Sequence, residues 1–384
     1  MAVWLGLDIG GANLKAADGR DWCKSVPFPL WREPTRLAAA LAGLVRSAPA
    51  HQGVAVTMTG ELADCYATKA DGVAAIVTAT QQALSALDDR APLRVYTTAG
   101  QFVEIAAARR APLSAAAANW HALARFACRF VTRSSFKTSN EPTSGATASS
   151  SSSAVSDIAL LGKPAVAPNP GFETASSDAA LLLDLGSTTC DLIPLVDRRP
   201  AARGRTDPER LANRELVYTG VVRSPVCALV RELPWRGGMC PAAQEVFSTT
   251  RDAYLLLEEL PECEDLNTAD GRPATRPCAR DRLARQICAD RTMFAASDAL
   301  AAAQSVKQAQ LALLTDALTH LRATIGAGLS QVIVSGQGEF LLRQLVAREL
   351  PQANVISLAA RLGPHVSGAA TAHALAVLAA EACS

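Results

Sequence analysis

Apolar and polar positions along this chain alternate in two rhythms. Residues 3–9 form an almost unbroken apolar run that ends near Asp8, and 13–18 form a second. Such runs, bounded by turn residues, predict a buried strand and its partner. The turn between them carries Gly10 and Gly11, and both are expected to be required there by close approach or by positive φ. A helical rhythm follows at 35–47. Residues 53–62 predict a strand that enters a glycine turn, and 71–87 a helix opened by Asp71-Gly72. A strand with a turn is expected at 93–103. A helix is expected at 114–130, with Ser114 as its cap.

The rhythm then stops. Serine and threonine dominate 132–157, and 162–178 is also irregular, so 132–178 predicts a flexible insert or linker. Strands resume at 180–185 and 189–196. A helix start is expected at 206–216, with Thr206 or Asp207 capping and Pro208 in its first turn. A strand-like segment follows at 217–226, and helices at 242–260 and 279–328. Residues 331–350 predict strand, glycine turn and helix, 353–358 a short strand, and the alanine-rich 368–382 a buried or docking helix. The alternation predicts an α/β protein. The pattern Asp8-x-Gly10-Gly11-x-Asn13 recurs as Asp184-x-Gly186-Ser187-x-Thr189, each between two strands. This duplication predicts two related domains, 1–131 and 179–384, facing each other, with the C-terminal helix free to pack back on the first.

Composition narrows the class. The chain has 384 residues, a formal net charge of +1, 49% hydrophobic and 19% charged residues. That balance offers no electrostatic case for nucleic acid or a membrane surface, and no apolar stretch reaches the roughly 20 residues of a span. The ten cysteines include no C-x-x-C pair, and the five histidines no H-x-x-H or H-E-x-x-H group, so no structural metal is expected. With no basic and long apolar leader at the start, reduced thiols in a cytoplasmic protein are expected. A homodimer is compatible with the sequence.

The paired turns suggest chemistry. Backbone N–H groups of a glycine turn can converge on an anion. Two facing turns could grip one polyphosphate, with Lys15 adding charge and Ser187, Thr188 and Thr189 adding hydroxyl donors. Asp8, Asp184 and Asp191 would repel phosphate directly, and make sense if they hold Mg²⁺ or its water shell. Each turn alone is as well read as an ordinary hairpin; the pair favours phosphate. A third turn carries Gly336, Gly338 and Glu339. It either approaches a nucleotide or is simply a tight strand–helix turn. Glu61 and Asp64 face a cleft or, for Glu61, cap a helix. Asn119 and Trp120 could stack on an aromatic substrate, though core packing is the plainer reading of Trp120. Asp281, Arg282, Arg285 and Asp290 read as ion pairs on a solvated helix face, and Asp252 has no clearer role.

Eight motifs, "DIGGANLKAA", "TGELADCY", "AAANWHALA", "LLLDLGSTTCDLIPL", "TDPERLANRELVYTGVVRSP", "TADGR", "RLARQICAD" and "SGQGEFLL", occur in this order. In them the chain resembles the hydantoinase/oxoprolinase-related family linked to tetrahydromethanopterin one-carbon metabolism, which includes synthases of methanofuran biosynthesis. The resemblance implies two RNase-H-like domains around a central cleft, the actin-like ATPase superfamily fold. It implies joining an (aminomethyl)furanylmethyl diphosphate to the phenol oxygen of γ-glutamyltyramine, with loss of diphosphate, in support of formaldehyde oxidation. It maps Asp8, Gly10, Gly11, Asn13 and Lys15 to one phosphate loop. Asp184, Gly186, Ser187, Thr188, Thr189 and Asp191 map to the other, and Gly336, Gly338 and Glu339 to the nucleotide contact of the superfamily. Mg²⁺ is the expected cofactor, ATP an open one, and Glu61 or Asp64 the expected base. Two alternatives stay open: an ATP-dependent kinase or amide-ring hydrolase, and a non-catalytic nucleotide-binding partner of one-carbon enzymes.

Overall fold

The computed structural model describes residues 3–132, 179–325 and 329–383. Nearly all of the serine-rich segment expected to be flexible thus lies outside the described residues.

The first sheet contains β1 (Trp4–Ile9), β2 (Asn13–Ala17), β3 (Cys23–Pro27), β4 (Gly53–Met58), β5 (Leu93–Tyr96) and β6 (Phe102–Val103), in the order β3-β2-β1-β4-β5-β6. β1 to β3 form an antiparallel meander, and β4 and β5 run parallel to β1. The second sheet is built from β7 (Ala179–Leu185), β8 (Cys190–Val196), β9 (Arg199–Pro200) and β10 (Leu216–Val217). It is completed by β13 (Leu329–Ser335) and β14 (Asn354–Ser357), after an intervening hairpin of β11 (Glu232–Trp235) and β12 (Gly238–Pro241). Its order, β10-β8-β7-β13-β14, repeats the path of the first sheet, again with two parallel additions to the leading strand. The fold is therefore α/β, with two RNase-H-like sheets. β1 and β4 are buried along their whole length, which is why they read as continuous apolar runs.

Helices α1 (Leu37–Arg46) and α2 (Lys69–Ser85) cover one face of the first sheet. α3 (Ile105–Arg110) and α4 (Pro112–Ala115) precede α5 (Asn119–Ala127). α6 (Asp207–Ala212), α7 (Val226–Leu229), α8 (Thr250–Leu256) and α9 (Arg276–Arg285) follow, then α10 (Ala296–Ile325), α11 (Glu339–Glu349), α12 (Leu358–Ser367) and α13 (Ala370–Ala382). α10 and α11 cover the outer face of the second sheet. α5 and α13 lie between the sheets: Ala122 and Leu375 pack with Trp4 and Tyr96 of the first, Leu123 and Ala374 with Leu182 and Ile193 of the second. This explains the alanine-rich tail. A helix pressed on both sides needs small residues, and a Cβ on Gly6 of β1 would come within 2.1 Å of the Ala372 carbonyl.

Several element boundaries differ from expectation, each for a local reason. α2 is opened by Thr68, whose side chain accepts from Asp71 N at 3.1 Å, rather than by Asp71-Gly72. Gly72 is instead a packing glycine, since a Cβ there would lie 2.1 Å from the Glu61 carbonyl. The helix expected at 114–130 is broken at Ala117, with φ +47, and Ser114 caps nothing; its Oγ donates to the Ala111 carbonyl. α6 has the expected start, with Thr206 and Glu209 forming a reciprocal capping box. Segment 217–226 is strand only at its first residue, and 242–260 is helical only in α8. The described residues of the expected helical segment 279–328 hold two helices, the end of α9 and α10, with Cys288 at φ +57 between them. The β11–β12 hairpin turns on Arg236 and Gly237, both at positive φ, in the manner of a two-residue hairpin loop.

Candidate active site

The two duplicated turns have the same construction. Gly10 N donates to the Asn13 carbonyl at 3.0 Å, and Gly186 N to the Thr189 carbonyl at 2.9 Å. In register, Asp8 faces Lys15 across the first hairpin and Asp184 faces Asp191 across the second. Neither turn relies on positive φ. A Cβ on Gly10 would be tight, 3.0 Å from the Asn13 carbonyl, but one on Gly11 would meet nothing within 4 Å and one on Gly186 only an atom at 3.7 Å. The chain itself therefore does not demand Gly11, contrary to expectation.

Glycines that the packing does demand stand behind the turns. A Cβ on Gly60 would lie 3.1 Å from Gly10 C, and one on Gly220 would lie 2.2 Å from Thr188 N. Gly220 is fixed by a buried polar group. Its carbonyl accepts from Thr250 Oγ1 at 2.8 Å and Gln310 Nε2 at 2.9 Å, and its N–H donates to Ser224 Oγ at 2.8 Å. Gln310 also takes the Tyr254 hydroxyl. Sequence reasoning missed these supports, because Gln310 reaches Gly220 from the middle of a long helix.

The duplication extends further than the turns. "VAVTMTGEL" (54–62) and "VIVSGQGEF" (332–340) share a pattern and both leave the strand next to the leading one. Thr57 and Ser335 stand in register with Asp8 and Asp184, and Glu61 and Glu339 are counterparts. Gly336 has φ +92 and would place a Cβ 2.3 Å from the Leu185 carbonyl; Gly338 would clash with the Leu185 side chain. Tight packing on β7 thus accounts for this third turn without a ligand. Glu339 is held by Arg343 at 2.8 and 3.0 Å.

Electrostatics bring the two turns together. Asp184 is pushed up to about 6, chiefly by burial and then by Asp191; Ser335 and Lys15 oppose this and Asp8 adds to it. Asp8 is also raised by burial, with Lys15 opposing. Residues of both halves therefore act on one another across the gap. Asp8 Oδ1 and Thr57 Oγ1 are buried without a hydrogen-bond partner among the described residues. Lys15 makes no ion pair among the described residues.

Three expectations require correction here. Asp191 is not a free metal ligand: Arg210, itself 1% exposed, holds it at 2.8 Å. Trp120 does not offer an open stacking face, because Arg210 lies over its ring at 4.2 Å and the indole is buried. Asn119 beside it begins α5 and is half-buried. Among the described residues no three His, Cys, Asp or Glu side chains converge as a metal cage. A fourth correction concerns Arg282, expected on a solvated face. It is fully buried between Asp252 at 2.7 Å and Asp270 at 2.9 Å.

Glu61 lies in the same gap and does not cap a helix. It is 1% exposed, and burial pushes it up to about 7 against the opposing pull of Lys69. Its Oε2 has no hydrogen-bond partner among the described residues. Lys69 Nζ lies 3.6 Å from Glu61 Oε1 but 2.6 Å from Asp207 Oδ2, at the start of α6 in the other half. Asp64 is exposed and is not gathered into this group. At the rim, Arg223 of the second half lies 5.3 Å over the Trp31 ring of the first.

Twice-repeated RNase-H-like sheets around a cleft define a two-domain protein of the actin-like ATPase fold. The hydantoinase/oxoprolinase family model matches residues 52–139 and 166–382, and the chain belongs to that family. It is 29% identical over 379 residues to the (4-{4-[2-(gamma-L-glutamylamino)ethyl]phenoxymethyl}furan-2-yl)methanamine synthase of Methanocaldococcus jannaschii, covering 97% of this chain and 96% of that one. The synthase of the same name from Methanococcus vannielii is 30% identical over 202 residues, 52% of this chain and 89% of that one. Among solved structures, nucleotide-free acetone carboxylase shares the fold, with TM-score 0.52 at 10% identity over 98% of this chain and 70% of that one.

Proposed function

We propose that this protein is a synthase that joins an (aminomethyl)furanylmethyl diphosphate to the phenol oxygen of γ-glutamyltyramine, releasing diphosphate. The product would serve as a precursor of a methanofuran-type carrier for tetrahydromethanopterin-linked formaldehyde oxidation. The relationship to the two synthases supports this reading, and one structural observation carries it. Two glycine turns of matching construction face each other, with an unpaired lysine and a buried, half-ionised glutamate in the same cleft.

In this reaction the carbon–oxygen bond to diphosphate breaks and an aryl ether bond forms at the same carbon. Negative charge grows on the leaving group. Turn N–H groups, Lys15 and the hydroxyls of Ser187, Thr188 and Thr189 are suited to receive it. The phenol, with an ordinary pKa of about 10, must give up its proton. Glu61, held at about 7 with a free Oε2, is suited to accept it. Asp8, with its unpartnered Oδ1, and Asp184, raised to about 6 chiefly by burial and still largely ionised at neutral pH, fit a Mg²⁺ ion reached through water; Asp191, claimed by Arg210, does not. Bound Mg²⁺ would neutralise part of the diphosphate charge. Ten unpaired cysteines suit a cytoplasmic setting, and no helix among the described residues is long and apolar enough to cross a membrane.

The same turns would also suit the phosphates of ATP, so the test runs with and without it. Purified protein, Mg²⁺ and the two substrates should yield the ether and one diphosphate per turnover in the absence of ATP. An absolute requirement for ATP with formation of ADP would overturn the proposal.

A further inference from the structure

Glu61 has two carboxylate oxygens and a cation close by, yet the cation is engaged elsewhere. Lys69 Nζ is 2.6 Å from Asp207 and 3.6 Å from Glu61 Oε1, beyond a good hydrogen bond. Glu61 and Lys69 belong to the first half, and Asp207 opens α6 of the second. The three side chains thus form a chain across the cleft, with its inner end buried. Lys69 is 18% and Asp207 25% exposed, against 1% for Glu61. These two are the charged groups that act on Glu61. In the second half the counterpart, Glu339, receives Arg343 from its own helix on Oε1 alone, so an arginine stands there in the place that Lys69 takes beside Glu61.

We propose that Asp207 is a positioning residue: reaching across from the second half, it claims Lys69 and keeps the ammonium from closing on Glu61 Oε1, so that Glu61 can take a proton from the acceptor and an effective base exists only where the halves meet. This rests on the reading of Glu61 as the base. The physical reason is competition for one ammonium. Without Asp207, Lys69 is free to close on Glu61 and stabilise its ionised form. Without Lys69, Glu61 keeps its burial and loses its cation. Removal of either partner of the same ion pair therefore moves Glu61 in opposite directions, whereas an ion pair with a merely structural role would respond alike to both losses.

The test is the pH dependence of single-turnover ether formation by the full chain with saturating substrates. Wild type should show an acidic limb near pH 7. Asp207→Asn should move that limb down by about one pH unit, and Lys69→Met should move it up by about one. Asp207→Glu should restore the wild-type limb. Thermal unfolding of each variant checks that the fold survives. If Glu61→Gln leaves the limb in place, the base is another group and both readings fail. If Glu61→Gln removes the limb but the two variants shift it the same way, or not at all, the base stands and the positioning role is refuted.

Discussion

Arg210 offers the sharpest energetic test of how the second turn is built. Its side chain is 1% exposed, donates to Asp191 at 2.8 Å and to the Glu215 carbonyl at 3.0 Å, and covers Trp120. Asp191 is raised by burial, and Arg210 is the cation that opposes this. Arg210→Met leaves a buried carboxylate without its counter-charge. Breaking such a pair from one side costs about 3–5 kcal/mol, and loss of the desolvated cation–π contact adds up to about 2 kcal/mol. Because these terms overlap, an expected total of about 4 kcal/mol follows. Removing the charge as well, in Arg210→Met/Asp191→Asn, should return about half of that. The deficit also depends on pH. A buried carboxylate whose folded pKa lies above its unfolded value of 3.8 costs stability as pH rises through the folded value. The single variant should therefore be most impaired at pH 8 and approach wild type toward pH 4. Urea denaturation at several pH values, followed by circular dichroism, measures each quantity. A loss below about 1 kcal/mol, a loss independent of pH, or a double variant no better than the single one would refute the reasoning.

Other expectations concern the remaining supports. Glu61→Gln should slow ether formation by about a hundredfold or more yet stabilise the fold at pH 8 by up to about 3 kcal/mol, because a group moved from 4.5 to about 7 costs stability once ionised. The gain should vanish below pH 4.5, as denaturation curves at the two extremes would show. Gly336→Ala should destabilise strongly, by more than about 2 kcal/mol, since φ is +92 and the new Cβ would fall 2.3 Å from the Leu185 carbonyl; loss of soluble, cooperatively unfolding protein reads this out. Arg282→Met should cost about 3–5 kcal/mol by stranding Asp252, which is itself buried, and calorimetry should register it as a lowered Tm.

Much of the architecture was legible because it rests on local rhythm. β1, β4, β7 and β8 are buried strands, and buried strands announce themselves as apolar runs. The duplicated Asp-x-Gly pattern marked two related hairpins, and the alanine-rich tail marked a helix pressed from two sides. Features that depend on distant residues were not legible. Nothing near Asp191 in sequence announces Arg210, and nothing near Trp120 says that a guanidinium will cover it; both follow from α6 folding back on β8. The β11–β12 hairpin is short and half-exposed, so it lacks an apolar signature. Asp64 and Glu61 looked alike as candidates, and only burial separates them. The repeat of "VAVTMTGEL" in "VIVSGQGEF" is visible in the letters and pairs Glu61 with Glu339, but it lies in a less regular glycine pattern than the Asp-x-Gly turns.

On the proposed reading both turns grip one diphosphate. Gly11→Ala and Gly186→Ala test it most directly, because a Cβ at Gly11 meets nothing within 4 Å and one at Gly186 meets only an atom at 3.7 Å, so neither should disturb the fold. Calorimetric titration with magnesium diphosphate should show one equivalent per wild-type chain. Each alanine variant, of unchanged thermal stability, should bind at least about tenfold more weakly, equivalent to about 1.4 kcal/mol. Two independent equivalents per chain, or undiminished binding in either variant, would contradict the account.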